Sequence, residues 1–333
     1  MSSLKRIAGD LGVSYTLVSK VLSGRLGTTG VSAKTRDAII ARAAELEYVP
    51  NHLAVALKAG RKGSVGIFLH GIGSPGSDVT DRLLGGLAEG LEESGLRMLL
   101  RFFKTEEEFL AACDVRLRSE VDGLIVAGAA HPELVPKFLE LEEKNVKVVS
   151  IFNDLSERDF EHTTNVVADY ELQGYLPTKH LLDQGLRRIA CLDTVENRTR
   201  GFRRAFAEAN FTPRPAQFIR CKSFTYEDGV LAAEDILQIA NGMEGVVCQS
   251  DSQALGLIHQ LNKKGVQVPK DIKVTGVDNS PLARYCLVPI TSVTSEMRPS
   301  GRKAVELLLQ KIAGEEVKSA RLTPTLKVRE SSL

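Results

Sequence analysis

The pattern of apolar and polar positions changes character near residue 63. Before that point, apolar residues recur every three or four positions, which predicts short helices and no strand. From Ser64 onward, short β-branched and aliphatic runs alternate with amphipathic stretches such as 79–94 and 170–184. Candidate strands occupy 65–69, 97–102, 123–126, 146–152, 165–168, 188–192, 218–221, 245–248 and 272–277. This alternation predicts parallel sheets with helices on both faces.

The number of predicted strands indicates two sheets in the body rather than one. About ten strands exceed the usual size of a single twisted sheet. Two segments, Val121–Gly128 and Met243–Ser250, also look like the same strand in each half. We therefore predict an all-α head followed by an α/β body of two doubly wound, parallel-sheet subdomains.

Charge is distributed unevenly along the 333 residues. Up to Lys62 there are ten basic and four acidic side chains, a net charge of +6, whereas the rest has 33 basic against 38 acidic, a net charge of −5. A cationic head favours a polyanionic partner, although a solvated basic face would look the same. The five scattered cysteines indicate reduced thiols rather than disulfides or a zinc site. Because no membrane-length apolar run or signal core occurs, we predict a cytoplasmic protein.

The head has the pattern of a helix-turn-helix. Ser3 is placed to cap a first helix, Gly12 permits a sharp turn, and Ser14 is placed to cap a second helix over 15–22. The predicted apolar seam of these two helices consists of Ala8, Leu11, Val13, Val18 and Leu22. A third helix from Ser32 would close the core with Ile39, Ile40, Ala43 and Leu46.

The second helix would then present Tyr15, Thr16 and Lys20 away from the seam. Side chains near the start of such a helix reach base edges in the major groove of DNA. A plain helical hairpin is the alternative interpretation. The turn, the two caps and the basic surface favour the helix-turn-helix over it.

These motifs resemble the lactose-repressor and galactose-repressor (LacI/GalR) family of bacterial transcription regulators, over nearly the whole chain. The matching segments are Ile7-Ala, Gly12-Val-Ser-Tyr, Val18-Ser-Lys-Val-Leu, Val31-Ser-Ala-Lys-Thr-Arg and Ala44-Glu-Leu-Glu-Tyr-Val-Pro-Asn. The resemblance implies a homodimer that binds a near-palindromic operator in double-stranded DNA. The DNA-binding residues it implies are Ser14, Tyr15, Thr16, Ser19, Lys20, Asn51 and Leu57.

Residues 51–58 resemble the hinge helix of that family, with Leu57 at the position that wedges into the minor groove. Without the resemblance, an interdomain linker with a buried leucine is the simpler interpretation. Two features depart from the family pattern. The loop 24–30 is about three residues longer than usual, and His52 replaces a common basic residue.

An enzyme is an alternative interpretation of the body, because Gly71–Gly76 matches the dinucleotide fingerprint. Pro75 stiffens that turn, and the following strand ends in Phe102-Phe-Lys without an acidic residue for a ribose. No P-loop, nucleophile elbow or His-Glu-x-x-His motif occurs, and the histidines lack metal-ligand spacing. We predict no catalytic residue, no cofactor and no metal.

The resemblance implies instead that the body is periplasmic-binding-protein-like and closes on a small effector. Ligands of open parallel sheets bind beyond the carboxyl ends of the strands. The matching effector-binding positions are Asn153, Arg198, Phe224, Ser250 and Asp278. An aromatic face with Arg and Asp suits a polyol, so a sugar or sugar derivative is predicted. Asp251 is interpreted as a helix cap.

The predicted domains follow from these assignments. They are a helix-turn-helix domain over 1–50, a hinge over 51–63 and an effector-binding and dimerisation body over 64–333, split into an N-subdomain (about 64–164 plus 293–323) and a C-subdomain (about 165–292 plus 324–333). The predicted function is a transcriptional repressor controlled by its effector. A purine-type co-repressor and a sugar-binding protein without DNA activity are the alternatives.

Overall fold

The computed structural model describes residues 3–22, 30–48, 60–70, 78–92, 94–128, 134–151, 163–239 and 242–333. These residues form a helical head (3–48) and an α/β body of two lobes. Asn51, Leu57 and Asn153, together with most of the loops 24–30 and 71–78, lie outside the described residues.

Three short helices form the head. They are α1 (Ser3–Leu11), α2 (Tyr15–Leu22) and α3 (Ala33–Glu45). The turn between α1 and α2 places Gly12 at φ 63°, where a residue without Cβ avoids strain. Ser14 Oγ accepts a hydrogen bond from the backbone N–H of Leu17 (3.1 Å), as predicted for an N-cap. Ser32 caps α3 in the same way.

The head core confirms most of the predicted seam. Its buried side chains are Ile7, Ala8, Val18, Val21, Ile39 and Ala43. Ile40 is 47% exposed and was wrongly placed in this core, because Ile39 and Ile40 lie about 100° apart around a helix and only one can point inward.

The first lobe contains a four-stranded, fully parallel sheet. Its strands are β1 (Ser64–His70), β2 (Arg97–Phe103), β3 (Gly123–Gly128) and β4 (Lys147–Ile151), in the order β2-β1-β3-β4. Its helices are α4 (Asp78–Glu92), α5 (Glu106–Ala112), α6 (Leu117–Glu120) and α7 (Leu134–Glu143). The strands β1 and β3 read as continuous apolar runs because both of their faces are covered.

The second lobe is built in the same way around six strands. After β5 (Val166–Ala168), its strands are β6 (Ile189–Asp193), β7 (Phe218–Arg220), β8 (Gly245–Val247), β9 (Lys273–Asp278), β10 (Thr291–Thr294) and, after β11 (Ala320–Leu322), β12 (Leu326–Lys327). The order is β12-β10-β9-β8-β6-β7, and only the edge strand β12 is antiparallel. Its helices are α8 (Tyr170–Asp183), α9 (Glu196–Glu208), α10 (Tyr226–Gln238), α11 (Asp251–Lys263) and α12 (Pro281–Tyr285).

The chain passes between the lobes more than once. Helix α13 (Met297–Ala313) returns to the first lobe, where it packs against α4. The strands β5 and β11 pair with each other, and Val166 packs into the first-lobe core. The strand β10 pairs with β9 in the second sheet. The exact bounds of the head, the hinge and the two subdomains stay a prediction.

Glycines bring helices of the same lobe into close contact. A Cβ on Gly174 of α8 would lie 1.8 Å from the carbonyl oxygen of Arg198 in α9, and one on Gly201 would lie 1.9 Å from that of Glu171. Such overlap with backbone would force the helices apart. These two glycines therefore fix the position of α9, and with it the side chain of Arg198.

Candidate functional site

The start of α2 forms the candidate DNA-contacting surface of the head. Ser14, Tyr15 and Thr16 are exposed, and Ser19 and Lys20 are half-buried. Val18 and Val21 of the same helix are buried in the core, so the helix is fixed with its first turn outward. This is the geometry that base-edge recognition in a major groove requires.

An ion pair fixes the third helix to the first. Arg42 of α3 contacts Asp10 of α1 (2.6 Å) and Glu45 of its own helix (2.6 Å). These carboxylates raise the pKa of Arg42 above its ordinary value. Two of the four acidic groups near the head are thereby paired internally, which leaves its other cations to dominate the outward field.

In the second lobe, the predicted effector residue Arg198 is buried at the start of α9, beyond the carboxyl end of β6. Only 7% of it is exposed. Its Nε donates to Gln173 Oε1 (2.9 Å) and its Nη1 donates to the carbonyl of Gln249 (2.5 Å). Because these bonds use only part of the guanidinium fork, donors remain for a ligand.

Aromatic rings flank this guanidinium. It lies 5.3 Å from the ring centroid of Phe224 and 5.0 Å from that of Tyr170, both within cation–π range. Phe224 lies in the loop before α10 and is 39% exposed. Its carbonyl accepts a hydrogen bond from Ser250 Oγ (2.8 Å). Ser250 is also the N-cap of α11, so one hydroxyl positions the helix and the Phe224 loop.

Asp278, at the end of β9, is the carboxyl group that interacts with this arginine, and Asp251, at the start of α11, interacts in turn with Asp278. Burial raises the pKa of Asp278 to about 8, with a further rise from the negative charge of Asp251. Burial also raises the pKa of Asp251, to about 6. Arg198 and Arg82 counteract the rise at Asp278. We name Arg198, Asp251 and Asp278, together with the half-buried Arg82, the buried charge cluster.

Asp251 is not the predicted helix cap. Its carboxylate accepts hydrogen bonds from Ser292 Oγ (2.5 Å) and from the backbone N–H of Ser280 (2.7 Å), while Ser250 caps the helix. The prediction was wrong because two adjacent capping residue types compete for one position, and Asp251 has buried partners on β10 and at the start of α12.

Sequence reasoning missed Arg82, which joins the two lobes. It extends from α4 of the first lobe, where Asp78 pairs with it (2.8 Å), and donates to the carbonyl oxygens of Asp278 (3.0 Å) and Asn279 (2.7 Å). Both residues have positive φ, 113° and 51°. The spacing of Asp78 and Arg82 predicts a helical ion pair, but no sequence signal indicates partners about 200 residues away.

The fold therefore gathers four of the five predicted effector residues at one edge of the second sheet. Arg198, Phe224, Ser250 and Asp278 come from separate segments and meet beyond the carboxyl ends of β6, β8 and β9. This edge offers an aromatic face, a guanidinium and a carboxyl group. Together they can hold a small molecule with hydroxyl groups, and Arg82 supplies contact from the other lobe.

Two family models match the chain. The model described as "Bacterial regulatory proteins, lacI family" covers residues 3–51, and the "Periplasmic binding protein-like domain" covers residues 178–332. They match the head and most of the second lobe in the order that the resemblance implied. The chain belongs to the LacI family.

The curated relatives of this LacI-family chain are named as repressors. The "HTH-type transcriptional repressor PurR" of Vibrio cholerae serotype O1 (strain M66-2) is 29% identical over 332 residues, which is 95% of this chain and 93% of the relative. PurR of Vibrio vulnificus (strain CMCP6) is 28% identical over 99% of this chain and 98% of the relative. This chain is a DNA-binding transcriptional regulator.

Solved structures share the fold of this LacI-family chain. A complex of the transcriptional regulator CelR with cellobiose has a TM-score of 0.73 and 27% identity over 99% of both chains. The Lac repressor dimer bound to operator and the anti-inducer ONPF has a TM-score of 0.75 and 23% identity over 98% of both chains. The predicted fold class is confirmed.

In the part of this LacI-family chain that the structure describes, no helix combines the length and the apolar character needed to cross a bilayer.

Proposed function

We propose that the chain is a homodimeric, cytoplasmic repressor whose affinity for a near-palindromic operator is controlled by a sugar or sugar derivative bound between its lobes. The observation that supports the effector class is the grouping of Arg198, Phe224 and Asp278 at one sheet edge. A ring stacks on Phe224, while the guanidinium and the carboxyl group bind vicinal hydroxyls. The similar CelR regulator is known in complex with cellobiose.

In the head, Ser14, Tyr15, Thr16, Ser19 and Lys20 are proposed to contact DNA, together with Asn51 and Leu57 of the hinge. Asn153 is proposed to complete the effector site. No catalysis is part of this proposal. The proposed domains are the head, the hinge and the two subdomains, with the bounds predicted from the sequence.

Exposed apolar side chains support the homodimer. Leu282, Tyr285 and Leu287 lie in and just after α12 and are 47%, 82% and 93% exposed. Adjacent large apolar residues at this exposure are typical of a protein–protein interface. A second copy of the chain is the proposed occupant, and a dimer would present two heads to two operator halves.

Control of DNA binding requires a coupling free energy between the two sites. A 100-fold change in operator affinity corresponds to about 2.7 kcal/mol. Because Arg82 contacts the second lobe next to Asp278, an effector that binds there favours one arrangement of the lobes. The dimer transmits that preference to the paired hinges and heads.

The DNA part of the proposal is tested by selection from a random duplex pool. Wild-type protein should recover a near-palindromic sequence, and Lys20→Ala should reduce discrimination against a mutated half-site by about 1 to 3 kcal/mol. Lys5→Ala removes the same charge from α1 and should leave that discrimination unchanged. Recovery of no preferred sequence under any metabolite tried would reject the DNA function.

The effector part is tested by thermal shift and calorimetry with sugars, sugar acids and nucleobases. A ligand at 100 times its Kd adds about 2.7 kcal/mol to stability. Phe224→Ala should weaken sugar binding, because the stacking face is lost. A purine is the second candidate, since Phe224 and Tyr170 offer faces on which a flat base also stacks. Stabilisation by a nucleobase and by no sugar would replace the sugar proposal with the purine.

A further inference from the structure

A concave site lies in the first lobe, at the amino ends of its strands. Its volume is about 500 Å³, within the range of sites that bind small molecules. The lining includes the residues that precede β1, the turn before β3 and the turn before β4. The cavity therefore opens at the amino ends of the strands, whereas the effector site lies at carboxyl ends in the other lobe.

The lining of this cavity is strongly cationic, and we name it the cationic pocket. Its basic residues are Arg61, Lys62, Arg118, Lys144 and Lys147, and its one acidic residue is Asp122. Asn145 and Ser119 add polar groups to the same wall.

The single carboxylate has other partners. The two oxygens of Asp122 accept hydrogen bonds from the backbone N–H groups of Lys62 and Gly63, both at 2.7 Å. This contact fixes the segment that carries Arg61 and Lys62 against the lobe. Asp122 therefore shapes the pocket through its main-chain partners.

Most of these cations have no counter-ion within the described part of the chain. Lys144 pairs with Glu140 (2.6 Å), but no ion pair there involves Arg61, Lys62, Arg118 or Lys147. Four like charges around one concavity repel one another, and a bound anion relieves that repulsion. Two arginines and two lysines together provide both bidentate and point-charge contacts for phosphate oxygens.

We propose that the cationic pocket binds phosphate groups. The shared chemistry has two possible sources, the backbone of the DNA that the head contacts and a free phosphorylated metabolite. The DNA source is within reach, because residues 49–59 join the head to the pocket and an extended chain of that length spans at most about 40 Å. The volume also accommodates a nucleotide-sized anion. The DNA source rests on the proposed function, and the free-anion source does not.

The test compares two double variants of the full-length chain. Arg118→Ala with Lys147→Ala removes two pocket cations that lie far from residues 49–59 in the sequence. Arg214→Ala with Lys270→Ala removes one arginine and one lysine that are exposed on the second lobe. The four side chains contribute little to either core, and a cooperative melting transition no lower than that of the wild type in both variants will verify folding.

The first arm measures free anions by calorimetry with inorganic pyrophosphate and with adenosine monophosphate. A pocket that takes free phosphates binds one anion per chain in the wild type and the control, and at least tenfold more weakly in the pocket variant. The second arm measures affinity for the selected operator duplex by fluorescence anisotropy between 50 and 200 mM KCl. If the pocket contacts DNA phosphates, its variant loses about 0.9 from the slope of log K against log salt per lost contact, and the control retains the wild-type slope.

Either result, or both together, supports the phosphate pocket and identifies its source. Equal behaviour of the pocket variant and the control in both arms overturns it. If no duplex is bound specifically by any version, the proposed function has failed, and the calorimetric arm still decides whether the pocket binds phosphate.

Discussion

The buried charge cluster and the cationic pocket differ in the burial of their charged side chains and in the internal partners of those side chains. In the cluster, Arg198 and Asp251 are almost fully buried and each has hydrogen-bond partners. In the pocket, Arg118 is exposed and Lys147 half-buried, and four cations lack ion pairs among the described residues. A buried charge is tolerated only when a partner compensates it. A charge that solvent screens needs no such partner. The cluster is thus built into the fold, and the pocket is available to an external anion.

The largest effect is expected from Arg198→Ala. This change removes a cation from the buried charge cluster and leaves Gln173, the Gln249 carbonyl and the Asp278 carboxyl group without it. Loss of one buried partner costs about 3 kcal/mol, so the melting temperature should fall by about 6 to 12 °C, and effector binding should be lost. Calorimetric scanning measures the first effect and titration the second.

The matched control is Arg200→Ala, two residues along the same helix and exposed. It should keep the wild-type melting temperature and effector affinity. Equal effects of both substitutions would show that Arg198 is a surface residue in solution. The contrast between the buried charge cluster and the cationic pocket would then be rejected.

A smaller effect is expected from pH. Because burial raises the pKa of Asp278 to about 8 and that of Asp251 to about 6, the folded chain retains protons that the unfolded chain releases near pH 4. Stability from these groups is complete below about pH 4 and is lost as the pH rises towards 8. Asp278→Asn mimics the protonated acid and does not titrate. Between pH 5 and pH 8 the variant should therefore lose less of its free energy of unfolding than the wild type, by an amount on the order of 2 kcal/mol.

The measurement is the difference in melting temperature between the wild type and Asp278→Asn at several pH values, without effector. Groups that do not interact with Asp278 cancel in this difference, whereas the linked change at Asp251 is part of it. A difference that does not change from pH 5 to pH 8 would mean that Asp278 is ionised throughout this range, as an exposed carboxylate is.

The smallest effect is expected from Lys147→Ala, with the opposite sign. Removing one of several like charges relieves repulsion in the cationic pocket, so the melting temperature at 20 mM salt should rise by about 1 °C. The gain should disappear at 500 mM salt, where the screening length is only a few ångströms. Destabilisation at both salt concentrations would show that Lys147 has an internal partner.

Sequence patterns predicted the parts of the fold that repeat. The nine predicted strands lie within one or two residues of observed ones. Most of them are covered on both faces and therefore appear as apolar runs, and the largely exposed edge strand β2 also has an apolar composition. The strand β10 was missed, since Thr-Ser-Val-Thr has a polar composition although its first three residues are buried. Its hydroxyls have internal partners, such as Asp251 for Ser292, which no local pattern reveals.

The candidate site was predictable where it depends on local sequence patterns, and not where it depends on contacts between distant residues. Residues after strands were identified because ligands bind at the carboxyl ends of parallel strands. The partners of Asp251 are 29 and 41 residues distant, and those of Arg82 are 196 and 197 residues distant. Contacts at such separations depend on how the lobes pack. The close approach at Gly174 and Gly201 likewise requires the neighbouring helix to be known.

Arg82 binds main-chain oxygens of Asp278 and Asn279 rather than their side chains. Every amino acid carries such an oxygen, so the contact between the lobes does not depend on which side chain occupies position 278. Evolution or protein engineering could therefore change that side chain while the contact that joins the lobes is kept.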